Sequence, residues 1–272
     1  MTETMEVPTI AGAGTPLLEA RNVTKSFGSV QALAEVDFAV HAGEVMALVG
    51  DNGAGKSTLI KCIAGIYPID SGDVYFDGKK VSIGSPKAAA DLGIEVVYQD
   101  LALCDNLDIV QNMYLGREEH DVIRRLKEPE MEARTAATMK SLAVTTIRSM
   151  RQQVASLSGG QRQSVAIGRA VMWNSKVVIL DEPTAALGVA QTRQVLDLVA
   201  RLSSQGLAVV IISHNLHDVF EVADRITCLR LGRNVAVFER REATQQEVVH
   251  AITAGVPTKV SGIAGTGLEE VL

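Results

Sequence analysis

The sequence has few cysteines, no excess of basic charge and no long apolar run. The three cysteines, Cys62, Cys104 and Cys228, are widely spaced and form no CxxC pair, which disfavours a zinc site or a redox pair. We interpret them as small buried side chains in a reducing compartment. The longest apolar stretches, such as 207–212, are of strand length and fall short of the ~20 residues that span a bilayer. No signal peptide is visible, so we expect a soluble, cytoplasmic protein.

The charge balance gives no sign of a nucleic-acid partner. The formal net charge is −6 and the sequence pI is about 5.5, whereas a nucleic-acid-binding face is basic. Hydrophobic residues make up 47% of the chain and charged residues 21%, which excludes wholesale disorder. We therefore expect a folded domain that does not bind DNA or RNA.

The order of apolar patterns predicts a mixed α/β domain with a helical insertion. Residues 45–49 form a continuous apolar run typical of a central parallel strand, and residues from Ser57 onward have helical spacing. Residues 101–157 have helical composition and no strong strand candidate, which indicates a separate helical subdomain. Strand-like runs resume at 176–180. The chain shows no internal repeat.

Residues 50–57, Gly-Asp-Asn-Gly-Ala-Gly-Lys-Ser, have the spacing of a phosphate-binding loop between a predicted strand and a predicted helix. Glycines let the backbone turn its N–H groups toward phosphate oxygens, and the start of the helix adds partial positive charge. Lys56 supplies a full charge for the β- and γ-phosphates, and the Ser57 hydroxyl can bind Mg²⁺. An incidental glycine-rich turn is the alternative, which the strand–loop–helix context disfavours.

Two carboxylates follow the apolar strand predicted at 177–180. Asp181 is placed to hold Mg²⁺, and Glu182, one residue further, is placed to polarise the attacking water as a general base. Open α/β sheets bind ligands at this end of their strands. An ordinary acidic loop is the alternative for these two residues taken alone.

Residues 157–161, Leu-Ser-Gly-Gly-Gln, open a predicted helix and are called the signature segment below. Ser158 followed by two glycines places a hydroxyl and unblocked N–H groups at a positive helix end, which predicts a second anion site. A simple helix cap is the alternative. Gln99 and His214 each follow a predicted strand, where Gln99 can reach Mg²⁺ or the water and His214 can reach the γ-phosphate.

Taken in order, these segments resemble the ATP-binding cassette (ABC) ATPases over about residues 17–250. The resemblance implies an α/β fold: a P-loop NTPase (RecA-like) core with an antiparallel β subdomain and an inserted α-helical subdomain at about 101–160. Residues 1–16 are then a flexible lead-in and 251–272 a C-terminal tail. Phe27 resembles the aromatic residue that stacks on adenine. The implied ATP-binding residues are Phe27, Gly50, Asp51, Asn52, Gly53, Ala54, Gly55, Lys56, Ser57, Thr58, Ser158, Gly159, Gly160 and Gln161.

The resemblance also implies cofactors, partners and location. ATP and Mg²⁺ are expected, with Ser57, Gln99 and Asp181 as metal ligands and Glu182, His214 and Gln99 as catalytic residues. In this family the signature of one cassette faces the phosphate loop of another, which implies a dimer of cassettes, here a homodimer. Transmembrane permease subunits would hold the dimer at the cytoplasmic face of the cell membrane, and an extracytoplasmic solute-binding protein would act indirectly.

Segments 50–65 and 181–190 resemble the single-cassette importers of monosaccharides, of the ribose, xylose and fructose type. Two other readings stay open: a soluble ABC ATPase acting on nucleic acid or ribosomes, and a subunit that binds ATP without hydrolysing it. One departure stands out, because most ABC ATPases have Ser-Ala-Leu-Asp where this chain has Ala185-Ala-Leu-Gly188. Gly188 lacks the carboxylate that helps couple the two sites, although glycine remains an acceptable helix N-cap.

Overall fold

A six-stranded sheet forms the centre of the computed structural model, which describes residues 14–255. Its strand order is β10-β9-β3-β8-β7-β6, and every neighbouring pair is parallel except β10 with β9. The strands are β3 (Val45–Val49), β6 (Ile94–Val97), β7 (Val177–Asp181), β8 (Ala208–Ile212), β9 (Arg225–Arg230) and β10 (Arg233–Glu239).

The inner strands β3 and β8 are apolar throughout because helices or a second sheet cover both faces of the sheet. Alternate residues of β3 therefore enter different cores. Met46 and Leu48 join one apolar cluster, and Val45, Ala47 and Val49 join the other. This arrangement fixes the strand ends firmly, and the loops that follow them carry the candidate site.

A four-stranded antiparallel sheet packs against one of these two cores. Its strand order is β2-β1-β4-β5, and the strands are β1 (Leu18–Phe27), β2 (Val30–Val40), β4 (Ser71–Phe76) and β5 (Lys79–Val81). An Asp77-Gly78 turn joins β4 to β5. Both turn residues have positive φ, 51° and 71°, as the tight hairpin turns that favour Asp-Gly require.

Eight α-helices complete the described part of the chain. Helix α1 contributes to the core shared with the antiparallel sheet, and α6, α7 and α8 contribute to the core on the opposite side. The helices are α1 (Lys56–Ile63), α2 (Pro86–Leu92), α3 (Ile109–Tyr114), α4 (Glu128–Ser141), α5 (Gly159–Val171), α6 (Val189–Ser204), α7 (Leu216–Val222) and α8 (Gln245–Ala254).

Helices α3, α4 and part of α5 bury a third apolar cluster of their own, which includes Met113, Tyr114 and Met139. Trp173, the one tryptophan of the chain, packs against this cluster. The guanidinium groups of Arg117 and Arg134 lie 5.3 and 4.8 Å from the centre of its ring. The helical part thus has a core distinct from the two cores of the central sheet.

The predicted fold class is confirmed, but several elements were not predicted. No strand was predicted at β10, and no helix was predicted at α2, α7 or α8. Helix α8 also runs through residues 251–254, which lie in the predicted tail; the remainder of that tail and residues 1–13 lie outside the described residues. Within residues 14–255, no helix is long and apolar enough to cross a membrane.

Candidate functional site

The phosphate loop at 50–57 follows β3 and leads into α1, as predicted. Gly50, Gly53 and Gly55 have positive φ angles of 152°, 81° and 101°. A Cβ atom at Gly50 would lie 2.2 Å from the Leu229 carbonyl oxygen, and one at Gly55 would lie 2.8 Å from the Ala32 carbonyl oxygen. Glycine is therefore required both for the backbone conformation and for the close approach of neighbouring strands.

The loop presents free backbone donors and one lysine. The first helical hydrogen bond runs from Leu59 N to Gly55 O at 2.9 Å, so the N–H groups of Lys56, Ser57 and Thr58 have no partner within α1. Lys56 Nζ donates to the carbonyl oxygens of Gly50 at 2.7 Å and Asp51 at 3.1 Å. Its ammonium group thus lies over the loop, where the phosphates of a nucleotide would bind.

The sheet brings Glu182 and His214 together, although they are far apart in sequence. Asp181 pairs with Ile212 in the parallel register, and Glu182 N donates to Ile212 O at 2.9 Å. His214 Nδ1 then lies 2.8 Å from Glu182 Oε2. The Glu182 side chain is 17% exposed and that of His214 is 74% exposed. Glu182 is therefore shielded, whereas His214 is open to an incoming ligand.

Charges at the strand ends are coupled to the lysine. Burial, and then the neighbouring Glu182, raise the pKa of Asp181, whereas Lys56 opposes the rise. Burial lowers the pKa of Lys56, and the carboxylates of Glu182, Asp181 and Asp51 oppose that change. The mutual influence places Lys56, Asp181 and Glu182 in one electrostatic group.

Gln99 lies at the same edge of the sheet. β6 pairs with β7 so that Val97 faces Leu180, which brings Tyr98 beside Asp181; burial and then the Asp181 charge raise the pKa of Tyr98. Gln99 follows and is exposed. Among the described residues, no group of three or more His, Cys, Asp or Glu side chains is arranged to hold a metal.

Phe27 ends β1 with 43% of its surface exposed. Its ring lies edge-on to that of Tyr67, with 5.1 Å between centroids and a 75° interplanar angle. Lys25 Nζ lies 5.5 Å from the Phe27 centroid. One face of the Phe27 ring therefore remains available to stack on a flat ligand. Tyr67 was not predicted, because its position after α1 carries no local pattern.

The signature segment caps α5. Ser158 is the N-cap residue, and it exchanges hydrogen bonds with Gln161: Gln161 N donates to Ser158 Oγ at 3.4 Å, and Ser158 N donates to Gln161 Oε1 at 2.9 Å. Gln161 Nε2 also donates to Thr146 O at 2.8 Å. The Gln161 side chain is therefore engaged in holding the helix start. The N–H groups of Gly159 and Gly160 remain free within α5, as an anion site requires.

The two glycines of the signature segment lie against the start of α6. A Cβ atom at Gly159 would lie 2.8 Å from Leu187 Cδ2, and one at Gly160 would lie 3.1 Å from Gln191 Cβ. Gly188, the N-cap residue of α6, lies between these two neighbours in sequence. The loop that lacks the family's aspartate therefore lies directly beside the signature segment.

The phosphate loop and the signature segment belong to different parts of the chain. The loop approaches β2 and the β9–β10 turn, whereas the signature segment contacts α6 and residue 146 in the helical part. Within residues 14–255, no hydrogen bond or ion pair joins the two segments. The chain thus brings together Lys56, Asp181, Glu182 and His214, with Gln99 at the same edge of the sheet, and leaves the predicted second anion site separate.

Fold and site together define a P-loop nucleoside triphosphatase, in which the signature segment caps a second helix start at α5. A family model described as ABC transporter matches residues 33–185, more than half of the chain. The chain is 46% identical to a fructose import ATP-binding protein of Rhizobium meliloti, over 88% of this chain and 94% of that protein. It is also 46% identical to a xylose/arabinose import ATP-binding protein of Sulfolobus acidocaldarius, over 90% and 97% of the two chains.

A solved ATP-binding cassette of an ABC transporter, in its ADP conformation, superposes with a TM-score of 0.75 at 26% identity, over 88% of this chain and 96% of that one. The chain therefore belongs to the ABC transporter family. The predictions of family, nucleotide binding and ATP hydrolysis are confirmed. The roles of the individual site residues remain predictions that the geometry supports.

Proposed function

We propose that this chain is the ATP-hydrolysing subunit of an ABC importer that takes up a monosaccharide. The observation that carries the catalytic part is the contact between His214 Nδ1 and Glu182 Oε2 at 2.8 Å, beside the lysine-bearing loop. The transport part rests on the importer relatives, which this chain matches over nearly their full length.

Hydrolysis at this site needs a base, an orienting group and charge stabilisation. Glu182 accepts the proton of the attacking water, and an N–H on His214 Nδ1 donates to the same carboxylate, which fixes its orientation. Lys56 and the N–H groups that open α1 stabilise the negative charge on the β- and γ-phosphates. Phe27 stacks on the adenine ring.

Asp181, Ser57 and Gln99 would hold Mg²⁺. Their carboxylate, hydroxyl and amide oxygens are hard donors of the kind that Mg²⁺ prefers. When bound, the ion would supply positive charge that offsets the negative charge of the phosphates during the reaction. Within the chain, Lys56 already offsets the Asp181 and Glu182 carboxylates.

The working unit we propose is a homodimer. Gly159 and Gly160 carry free N–H groups, yet within the described residues they are not connected to the phosphate loop of their own chain. An ATP on Lys56 of one chain would therefore be covered by Ser158 to Gly160 of a second copy. Closing of the dimer on ATP and its reopening after hydrolysis would move the helices of a permease.

The importer relatives also suggest location and partners. We place the dimer at the cytoplasmic face of the membrane, bound to transmembrane permease subunits, with an extracytoplasmic binding protein delivering the sugar. The segment after Gln99 and the helical part would form the contact with the permease.

The test combines hydrolysis with uptake. The full chain, co-expressed with candidate permease and binding-protein subunits from the same genome, is purified from membranes and reconstituted in vesicles loaded with ATP. We expect uptake of labelled ribose, xylose or fructose, and we expect Glu182→Gln to bind ATP, to accumulate as a closed dimer and to abolish both hydrolysis and uptake.

Near-normal hydrolysis by Glu182→Gln would show that Glu182 is not the base. Hydrolysis without uptake of any of the three sugars, while the chain still co-purifies with the permease, would leave the ATPase intact and disprove the monosaccharide assignment.

A further inference from the structure

A buried hydrogen bond connects the two segments that follow Glu182 and His214. Thr184 Oγ1 donates to Asp218 Oδ2 at 2.6 Å, and the two residues are 9% and 2% exposed. Thr184 lies two residues after Glu182, and Asp218 lies four residues after His214, in the first turn of α7. The bond therefore joins the two segments that carry the catalytic pair, Glu182 and His214.

Burying the carboxylate of Asp218 costs free energy. Within the described part of the chain it forms no ion pair, and the Thr184 hydroxyl is its described hydrogen-bond donor. A position in the first turn of a helix favours negative charge, but α7 has only seven residues and the Asn215 side chain already accepts from His217 N. An apolar pair of similar shape would stabilise the fold at least as well. The polar pair therefore points to a requirement other than stability.

The catalytic pair needs such a connection because neither member is held firmly by its own segment. Glu182 and Ala186 both have left-handed backbone conformations, with φ of 50° and 60°, in the loop between β7 and α6. His214 is exposed and lies between β8 and the short helix α7. One backbone bond, Glu182 N to Ile212 O, joins the two segments at the sheet, and the Thr184–Asp218 bond joins them again beyond it.

We propose that Thr184 and Asp218 are positioning residues that hold the Glu182 loop and α7 in the register in which His214 Nδ1 meets the Glu182 carboxylate. The proposal rests on the proposed function, since it assumes that Glu182 and His214 perform hydrolysis. The hydrogen bond supports the chemical step of hydrolysis. Loss of the bond therefore lowers kcat and leaves the affinity for ATP unchanged.

The experiment compares four variants of the full chain by kcat, by KM for ATP and by thermal midpoint. Thr184→Val removes the hydroxyl, and we expect kcat to fall by about tenfold or more with KM unchanged, because small misplacements of catalytic groups have large effects on rate. Thr184→Ser keeps the hydroxyl donor, and Asp218→Asn keeps an oxygen acceptor, so the bond can form in both variants. We expect both to stay within about threefold of the parent kcat.

The double variant Thr184→Val with Asp218→Leu separates positioning from stability. In Thr184→Val the Asp218 carboxylate is buried without a partner, and we expect the thermal midpoint to fall. Replacing both partners removes that carboxylate, so the midpoint should return toward the parent value while kcat stays low. Recovery of kcat together with the midpoint would overturn the proposal, as would a Thr184→Val variant that changes only the midpoint.

Thr138→Val is a matched control, because its hydroxyl donates to Arg134 O on the surface of α4, away from the catalytic pair. It should leave kcat unchanged. Failure of the proposed function would be recognised separately, since the parent chain itself would then not hydrolyse ATP or would do so without Glu182.

Discussion

At the scale of single residues, the Lys56 ammonium group lies over the phosphate loop. We expect Lys56→Ala to raise the Kd for ATP roughly ten- to a hundredfold, because a hydrogen bond to a charged group contributes about 1.5–3 kcal/mol. Calorimetric titration of the purified chain measures the change. Lys61→Ala, on the same helix and outside the predicted loop, serves as the control. Unchanged affinity in Lys56→Ala would contradict the assignment of the loop.

The thiols of Cys62 and Cys228 should be unreactive in the folded chain. Burial raises the pKa of Cys62 to about 11 and that of Cys228 to about 12, from an ordinary value of 9.0. Because the thiolate is the reactive form, its population at pH 8 falls by roughly a hundredfold or more in each case. Mass spectrometry after brief treatment with iodoacetamide should find label on Cys104, which is partly exposed, and on the other two only after unfolding. Rapid labelling of Cys228 in the native chain would argue against its buried position.

At the scale of elements, the start of α6 shows what the missing aspartate changes. Gly188 has φ −75° and ψ 163°, and a Cβ atom there would meet nothing within 4 Å, so a larger residue fits without strain. We expect Gly188→Asp and Gly188→Asn each to raise the free energy of unfolding by about 0.3 kcal/mol through better capping. We expect Asp alone to change the Hill slope of ATP hydrolysis, because it alone supplies the charge.

The Hill slope of the Asn variant is the control for this prediction. Equal slopes in the parent chain and both variants would show that the carboxylate has no coupling role in this protein. Thermal unfolding in the same buffer checks that any difference does not come from the helix cap.

The strands that lead into the site were predictable because each is a buried run with a consistent pattern. β3 and β8 are apolar at every position, and the loops after β3 and β7 carry recognisable residue spacings. The edge strand β10 was missed because most of its residues are partly or fully exposed and its pattern is mixed. The Thr184–Asp218 bond was missed for another reason: it joins residues 34 apart in sequence, and only the packing of α7 beside the β7–α6 loop brings them together.

At the scale of the whole molecule, the separation of the phosphate loop from the signature segment predicts complementation between two inactive chains. Lys56→Ala disables the loop, and Ser158→Phe blocks the signature segment. A mixed dimer retains one complete site, so random mixing should restore about a quarter of the parent ATPase activity. Each variant alone should be inactive. No recovery in the mixture would contradict a site shared between copies.

A second mixture provides the control for complementation. Lys56 and Glu182 belong to the same half-site, because the Glu182 carboxylate acts on the Lys56 charge within one chain. A mixture of Lys56→Ala with Glu182→Gln therefore contains no complete site and should stay inactive. Activity in this mixture would show that the half-sites are divided differently between the two chains.

Trp173 is an intrinsic fluorescent probe of the helical part. The indole lies between two guanidinium groups and an apolar cluster that is separate from both cores of the central sheet. Since the chain contains no second indole, emission excited at the red edge of aromatic absorption comes from this one place. Changes in the emission wavelength or in the quenching of Trp173 would therefore report the rearrangement of the helical part in real time, without any dye attached.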